Sequence, residues 1–222
     1  MRQILRLSVI AVSTALLITL SSCSSTQSTL EADDQPSTPT ENRETVTSGQ
    51  ISDVPENNNA SGESPQGSVT DAANFEITEN EDGTVTISRY IGTETDIVIP
   101  SQIDGKTVSA IGNVTGTTGA FEGCTSITAV VIPDGVTEIQ DNAFYDCTSL
   151  ETVTIPSSVT LLRNCAFCDC PNLRAVYFKG DAPQQSNYVF DSTENVTMYY
   201  QDGTSGWENP WHGRPAEVYI PE

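Results

Sequence analysis

The sequence is poor in basic residues, and this deficit excludes several classes of protein. Nine lysine and arginine residues stand against 30 aspartate and glutamate residues, which gives a formal net charge of −21. Nucleic-acid binding depends on clustered lysine and arginine side chains, so we expect no nucleic-acid partner. Direct electrostatic attraction to anionic lipid headgroups is disfavoured for the same reason.

Histidine is nearly absent, since His212 is the single one in the chain. Nucleophilic hydrolases of the common types need a base beside the nucleophile, and the chain has no Gly-x-Ser-x-Gly motif. The acidic residues form no recognisable catalytic pair, and their spacing does not match a calcium loop. We therefore predict that the protein is not an enzyme and has no catalytic residue, cofactor or metal site.

Long apolar runs are also scarce, and the one that exists lies within residues 1–22. Arg2 and Arg6 precede an apolar run from Leu7 to Leu20 that contains only Ser and Thr as interruptions. This pattern is typical of a secretory signal peptide and is too short to predict a membrane span.

The leader ends in Leu20-Ser21-Ser22-Cys23, which resembles the lipobox of bacterial lipoproteins. The resemblance implies that the leader is cut before Cys23 and that Cys23 is then acylated. Two or three acyl chains on one residue give stable anchoring. We therefore expect a protein that is secreted across the bacterial cytoplasmic membrane and held by lipid on the extracytoplasmic face or cell surface. The alternative is an ordinary leader with a chance cysteine.

Residues 23–73 begin with the cysteine to be lipidated and continue as an acidic segment without aromatic residues. Between 24 and 73 there are nine acidic residues and one basic residue, Arg43. Such a composition cannot bury enough apolar surface to offset the entropy of ordering. We predict a disordered linker whose end-to-end span is roughly 35–45 Å.

Residues 120–180 contain a repeat with a period of 23 residues. The first copy reads Ala120-Phe121-x2-Cys124-x2-Ile127-x2-Val130-x-Ile132, and further copies begin at Ala143 and Ala166. A constant period of this length predicts a solenoid, in which each copy buries its apolar face against its neighbours.

The flanking regions are predicted to cap the solenoid. Residues 74–119 carry period-two alternation at 75–77, 85–87 and 97–99, with a turn at Gly83 that joins the first two strands into a hairpin. An imperfect repeat with insertions follows. Residues 181–222 contain Trp207 and Trp211, which we expect to cover the last coil. The alternative is that the two tryptophans form a sugar-binding platform.

The repeated Leu-x2-Val-x-Ile, Pro-x2-Val-x2-Ile and Ala-Phe-x2-Cys segments together resemble the BspA-like leucine-rich repeats of bacterial surface proteins. The resemblance implies a β-rich leucine-rich repeat solenoid in a right-handed horseshoe arc. It also implies a surface location and, in some members, a role as adhesins that bind proteins. It implies no reaction.

The cysteines of the repeats are predicted to be structural. Cys124, Cys147 and Cys170 recur at the repeat spacing and should form a buried column. Cys165 and Cys168 occupy slots held by other residue types in the preceding copy. Zinc would require four ligands, which the sequence does not supply. A disulfide is possible, but we expect free thiols.

The outward slots of the repeated strand define a candidate binding face. Val131 and Tyr177 are apolar where solvent is expected, and clustered exposed apolar groups indicate an interface. We predict a monomer that binds a host, matrix or other cell-surface protein; the alternatives are an envelope spacer without a ligand and a carbohydrate-binding accessory protein. The candidate residues are Val98, Ala129, Val131, Thr152, Thr154, Ala175 and Tyr177.

Overall fold

A computed structural model describes residues 67–113, 118–186 and 188–220. Cys23 and nearly all of the predicted linker lie outside the described residues. One short 3-10 helix, Ala72–Asn74, precedes the strands. The strands are β1 (Phe75–Glu79), β2 (Val85–Tyr90), β3 (Asp96–Val98), β4 (Gln102–Ile103), β5 (Lys106–Ile111), β6 (Ala129–Val131), β7 (Glu138–Ile139), β8 (Thr152–Ile155), β9 (Leu161–Leu162), β10 (Ala175–Phe178), β11 (Gln184–Gln185), β12 (Thr197–Gln201) and β13 (Ala216–Tyr219).

The strands form two walls around one core, which confirms the predicted β-rich repeat solenoid. Sheet A has the order β1-β2-β5-β7-β9-β11, with β4 paired to β5 at its side. Sheet B has the order β13-β12-β10-β8-β6-β3, and all of its strands run parallel. The second strand of each coil, in sheet A, was not predicted. Strands of two residues are too short to show a period-two pattern in the sequence.

The N-terminal cap is the predicted hairpin. β1 and β2 pair antiparallel, and Gly83 between them has a φ of 85°, a conformation that costs glycine little. The Asp82 carboxylate accepts hydrogen bonds from the backbone N–H and the hydroxyl of Thr84. β2 then continues sheet A by pairing in parallel with β5. The hairpin therefore ends sheet A, with β1 as its outermost strand.

A column of aromatic rings runs through the core along the solenoid axis. Phe144 stacks on Phe121 with ring centroids 4.7 Å apart and on Phe167 with centroids 5.1 Å apart. Tyr90 continues the column at one end and Phe190 at the other, at 5.2 Å and 5.4 Å. The repeated Ala-Phe pair therefore supplies a continuous stack, in which each ring packs against the ring of the next coil.

The predicted cysteine column is present, and its thiols act as hydrogen-bond donors. Cys124, Cys147 and Cys170 are buried and outside any disulfide. The Cys147 thiol donates to the carbonyl oxygen of Phe121 at 3.1 Å, and the Cys170 thiol donates to that of Phe144 at 3.1 Å. Burial raises the pKa of the Cys147 thiol well above its ordinary value. The thiol therefore stays protonated at neutral pH and keeps its donor.

The column gives a testable prediction at Cys147. Threonine and valine have nearly the same shape, but only threonine can donate to the Phe121 carbonyl. We expect Cys147→Thr to be more stable than Cys147→Val by about 1–2 kcal/mol, as measured by urea denaturation. Equal stabilities of the two variants would show that the thiol acts only through its volume.

The repeats continue beyond residue 180, where the sequence analysis ended them. Val189 and Phe190 follow Ala166 and Phe167 at the same 23-residue spacing, and Thr193 takes the cysteine slot. The Thr193 hydroxyl donates to the Phe167 carbonyl at 2.8 Å, as the thiols do in the other coils. The substitutions Val for Ala and Thr for Cys hide this copy from a literal search, although each replacement keeps the chemistry of its slot.

The C-terminal cap contains both tryptophans, as predicted. Trp211 is 5% exposed, and its ring lies 4.8 Å from that of Trp207. Phe178 packs against both rings, at 4.8 Å from Trp207 and 5.6 Å from Trp211. Trp207 also stacks on Tyr200 with centroids 5.0 Å apart. These contacts cover the apolar end of the last coil, and the buried Trp211 ring presents no open platform.

Candidate binding face

The outward side of sheet B is built from two columns of side chains that the strand register aligns. Successive strands pair residue for residue, and alternate residues of each strand point away from the core. The first column is Asp96, Ala129, Thr152, Ala175 and Thr197. The second column is Val98, Val131, Thr154, Tyr177 and Tyr199.

Three tyrosines cluster at the C-terminal end of this face. The rings of Tyr177 and Tyr199 stack with centroids 5.2 Å apart, and Tyr219 meets Tyr177 edge-on at 5.4 Å. All three side chains are half-buried. Burial raises the pKa of Tyr177 and of Tyr219, and for Tyr177 the neighbouring phenols add to the effect. The hydroxyl groups of Tyr177 and Tyr219 therefore remain neutral donors over the physiological pH range. We call Tyr177, Tyr199 and Tyr219 the tyrosine cluster.

Comparison with known families identifies the repeats. Residues 106–205 match the family model described as the BspA type leucine rich repeat region, in six copies. These residues carry BspA-type leucine-rich repeats. The match spans sheet B from β6 to β12, and it includes the additional copy at Val189 that the sequence analysis assigned to the cap. None of the curated proteins matches the chain.

Solved structures of bacterial leucine-rich repeat proteins resemble the BspA-type repeat domain. A leucine rich cell surface protein from Faecalibacterium prausnitzii is 30% identical with a TM-score of 0.50, and the match covers 72% of this chain and 44% of that one. The chain thus spans less than half of that protein. A leucine rich repeat protein of T. pallidum is 23% identical with a TM-score of 0.45, covering 70% of this chain and 84% of that chain. One from Bacteroides capillosus is 25% identical with a TM-score of 0.48, covering 60% and 99%.

The residues of the predicted face differ in how accessible they are. Val98, Ala129, Val131, Thr152 and Tyr177 are half-buried. Thr154 and Ala175, which were expected to face solvent, are only 3% and 8% exposed. Thr154 lies between Val131 and the large ring of Tyr177 in its column, and the small Ala175 side chain lies between two threonines. A partner resting on the BspA-type repeats would therefore contact their neighbours rather than these two side chains.

Two members of the tyrosine cluster were missed by sequence reasoning. Tyr199 lies beyond the predicted end of the repeats, where the copy is one residue shorter: Leu173-x2-Val176 becomes Val196-x-Met198. Because Val176 pairs with Met198, one residue earlier than the 23-residue period predicts, Tyr199 lies beside Tyr177. Tyr219 belongs to β13, which has no repeat motif. For Tyr199, the sequence did offer a signal. Tyr199 and Gln201 alternate with apolar Met198 and Tyr200, as outward and inward residues of a strand do.

Cys165 and Cys168 form a disulfide, so the expectation of free thiols is wrong. Cys165 has a φ of 51° and begins a tight turn in which the Cys168 N–H donates to the Cys165 carbonyl. The turn brings the two Cα atoms to 4.7 Å, a separation that suits a disulfide. In the part of the chain that the structure describes, no three His, Cys, Asp or Glu side chains are grouped as metal ligands.

Within the same described ranges, no helix has the length and apolar character needed to cross a bilayer.

Proposed function

We propose that the protein is a lipid-anchored bacterial surface protein that binds another protein through the outward side of sheet B. The observation that carries the proposal is the tyrosine cluster. Tyrosine is enriched at protein interfaces because a large apolar ring and a hydrogen-bonding hydroxyl occur in one side chain with few rotatable bonds. Three half-buried tyrosines lie together on the outward side of sheet B, two of them within the matched repeats. They supply an anchor of this kind.

The charge of the domain indicates what kind of partner fits. Among residues 67–113, 118–186 and 188–220, 21 side chains are acidic and six are basic. Complementary charge accelerates association and disfavours partners of the same sign. Tyrosine rings also attract lysine and arginine side chains through their faces. The proposed ligand is therefore a protein surface that carries cationic side chains.

Binding is tested by a charge substitution within the cluster and a matched one outside it. Tyr177→Glu introduces a charge into the half-buried face, whereas Tyr188→Glu places the same charge on a side chain that is 59% exposed on the turn side. We expect saturable binding to host matrix or surface proteins to be lost in the first variant and kept in the second. Thr154 is unsuitable for this test because a charge at that buried position would unfold the strand.

Two outcomes would contradict the proposed binding role. Binding that survives Tyr177→Glu would place the site elsewhere on the protein. Failure of the wild type to bind any of these proteins at micromolar concentration would favour the alternative of an envelope spacer. In either case circular dichroism and the urea midpoint must show that the variants remain folded, since a destabilised variant would also lose binding.

The anchoring part of the proposal rests on the leader, which lies outside the described residues. Leu20-Ser21-Ser22-Cys23 follows an apolar run that begins after two basic residues. We expect the chain expressed in a bacterial host to take up labelled fatty acid and to sediment with membranes. Cys23→Ala should lose the label and leave the membrane fraction. A labelled Cys23→Ala variant would overturn lipidation at this position.

A further inference from the structure

The two edges of sheet B differ in whether another segment of the chain pairs with them. At the β3 edge, the Thr70 N–H donates to the Val98 carbonyl at 2.9 Å, and the Thr70 hydroxyl accepts from the Val98 N–H at 3.1 Å. The N-terminal segment thus pairs with that edge. The other edge is β13, which has β12 on one side and no strand among the described residues on the other. An open edge is a template for another extended chain.

The register shows which backbone groups of β13 point outward. The Met198 N–H donates to the Pro215 carbonyl at 2.8 Å, so Glu217 and Tyr219 direct their backbone groups toward β12, as a parallel ladder requires. Ala216 and Val218 direct theirs away from the sheet. The Ala216 N–H is bound by the Asn209 side chain at 3.2 Å. The Val218 N–H and carbonyl have no hydrogen-bond partner among the described residues.

The side chains of β13 present different chemistry on the two faces of the sheet. Val218 is 49% exposed and lies on the same side as the buried Ala216, and Ile220 just beyond the strand is 81% exposed. On the opposite side, Glu217 is exposed and pairs with Tyr199, and Tyr219 contacts Tyr177. The edge is therefore apolar on one face, and acidic and aromatic on the other.

We propose that β13 binds an extended segment of the partner protein as an added strand, in which apolar residues alternate with lysine or arginine. Successive side chains of a strand point to opposite faces. The apolar residues would cover Val218 and Ile220, while the cationic residues would lie beside Glu217 and over the rings of the tyrosine cluster. Main-chain hydrogen bonds to Val218 supply affinity, and the alternating pattern supplies specificity. This inference rests on the proposed function and names the ligand pattern and binding mode.

The charges around the edge favour a cationic ligand over a second copy of this chain. Asp202 follows β12 and Glu217 lies in β13, whereas Arg174 and Lys179 flank β10, two strands inside the edge. Arg214 precedes β13, but its guanidinium already donates to the Phe190 carbonyl at 2.8 Å. Two copies that met edge to edge would bring these carboxylates together, with both chains carrying a strong excess of acid. A segment with lysine or arginine on one face would neutralise them instead.

The test uses the full-length chain in a mild detergent and a seven-residue peptide of alternating valine and lysine. A peptide of the same composition with grouped valines and lysines is the control for charge alone. Two further peptides carry N-methyl groups on the valines only or on the lysines only. One of these two N-methylated peptides should lose at least tenfold in affinity, because its blocked N–H groups would face β13. The other should bind as the unmethylated peptide does. The grouped peptide should bind at least tenfold more weakly.

Variants of β13 test the same contact from the protein side. Val218→Pro removes the outward N–H, and an edge strand tolerates proline there because that group makes no bond to β12. Val218→Ile keeps both the N–H and an apolar, β-branched side chain, so that only the loss of the N–H separates it from the proline variant. We expect loss of peptide binding in the proline variant and binding close to that of the wild type in the isoleucine variant. If the proline variant fails to fold, the two N-methylated peptides decide the question.

Several results would overturn the inference. Strand addition at β13 would be excluded if the two N-methylated peptides bound with equal affinity, or if the grouped peptide bound as tightly as the alternating one. It would also be excluded if Val218→Pro bound the alternating peptide as the wild type does. A wild-type dimer in light scattering that Val218→Pro converts to a monomer would assign the edge to a second copy. If a protein partner is lost with Tyr177→Glu but kept with Val218→Pro, the proposed function stands and strand addition fails.

Discussion

Replacing Phe144 with alanine should lower the free energy of unfolding by about 3–5 kcal/mol, the range for removing a fully buried aromatic side chain. Phe144 is 0% exposed and stacks on a ring of the neighbouring coil on each side, at 4.7 Å and 5.1 Å. The substitution leaves a cavity in the middle of the aromatic column, and the small Ala143 beside it cannot fill the space. Urea denaturation followed by circular dichroism measures the loss.

Phe190→Ala is the matched control for position in the column. Phe190 has the same side chain but is 6% exposed and stacks on Phe167 alone within the column, at 5.4 Å. We expect its loss to cost at least about 1 kcal/mol less, because one aromatic pair contributes about 0.5–1.5 kcal/mol beyond its buried area. Equal losses at the two positions would mean that stacking between coils adds nothing to simple burial.

The sequence predicted the architecture because each repeat carries several constraints at once. Ala, Phe and Cys on one wall and the Leu-x2-Val-x-Ile strand on the other all recur at 23 residues, so an accidental match is improbable. The structure adds that the cysteine slot requires a small donor to the phenylalanine carbonyl of the preceding coil. Thr193 meets that requirement, which a search for cysteine cannot detect.

The turns between strands also contain a position whose shared structure a search for one residue type cannot detect. The residue before each cysteine-slot residue has a positive φ in successive coils: 68° at Gly123, 55° at Asp146, 53° at Asp169 and 53° at Ser192. Glycine and aspartate enter this conformation readily, but their residue types differ from coil to coil. The sequence therefore shows a variable position where the backbone keeps one shape.

The candidate site could be predicted only in part, since it is formed where the repeats become irregular. The two outward columns follow from the 23-residue period between Ala129 and Tyr177, and from the alignment of the imperfect repeat for Asp96 and Val98. The register of sheet B agrees with them from Asp96 to Tyr177. Tyr199 and Tyr219 depend on a one-residue deletion and on a strand without a motif. The size of neighbouring side chains also decides exposure. Thr154 pairs with Tyr177, whose large ring lies beside it, and Thr154 is 3% exposed. Counting positions along the repeat does not include this effect.

The second large effect is expected at the C-terminal cap, where Trp211→Ala should cost about 3–5 kcal/mol. Trp211 is 5% exposed and packs against Phe178 and Trp207. Its removal would uncover the end of the last coil, and a terminal coil without a cap loses both stability and solubility. The urea midpoint should fall, and the emission of the remaining tryptophan should shift to longer wavelength as water reaches it.

Trp207→Ala separates the cap from the alternative of a sugar-binding platform. Trp207 is half-buried and its indole N–H donates to the Gly180 carbonyl at 3.4 Å, so its loss should cost less than that of Trp211. Neither protein should show saturable binding on a glycan array if the rings serve only as a cap. A glycan that binds the wild type and is lost with Trp207→Ala, while stability is unchanged, would instead assign this end of the solenoid to carbohydrate. The buried position of Trp211 argues against that result, because a sugar would need the face that Phe178 already covers.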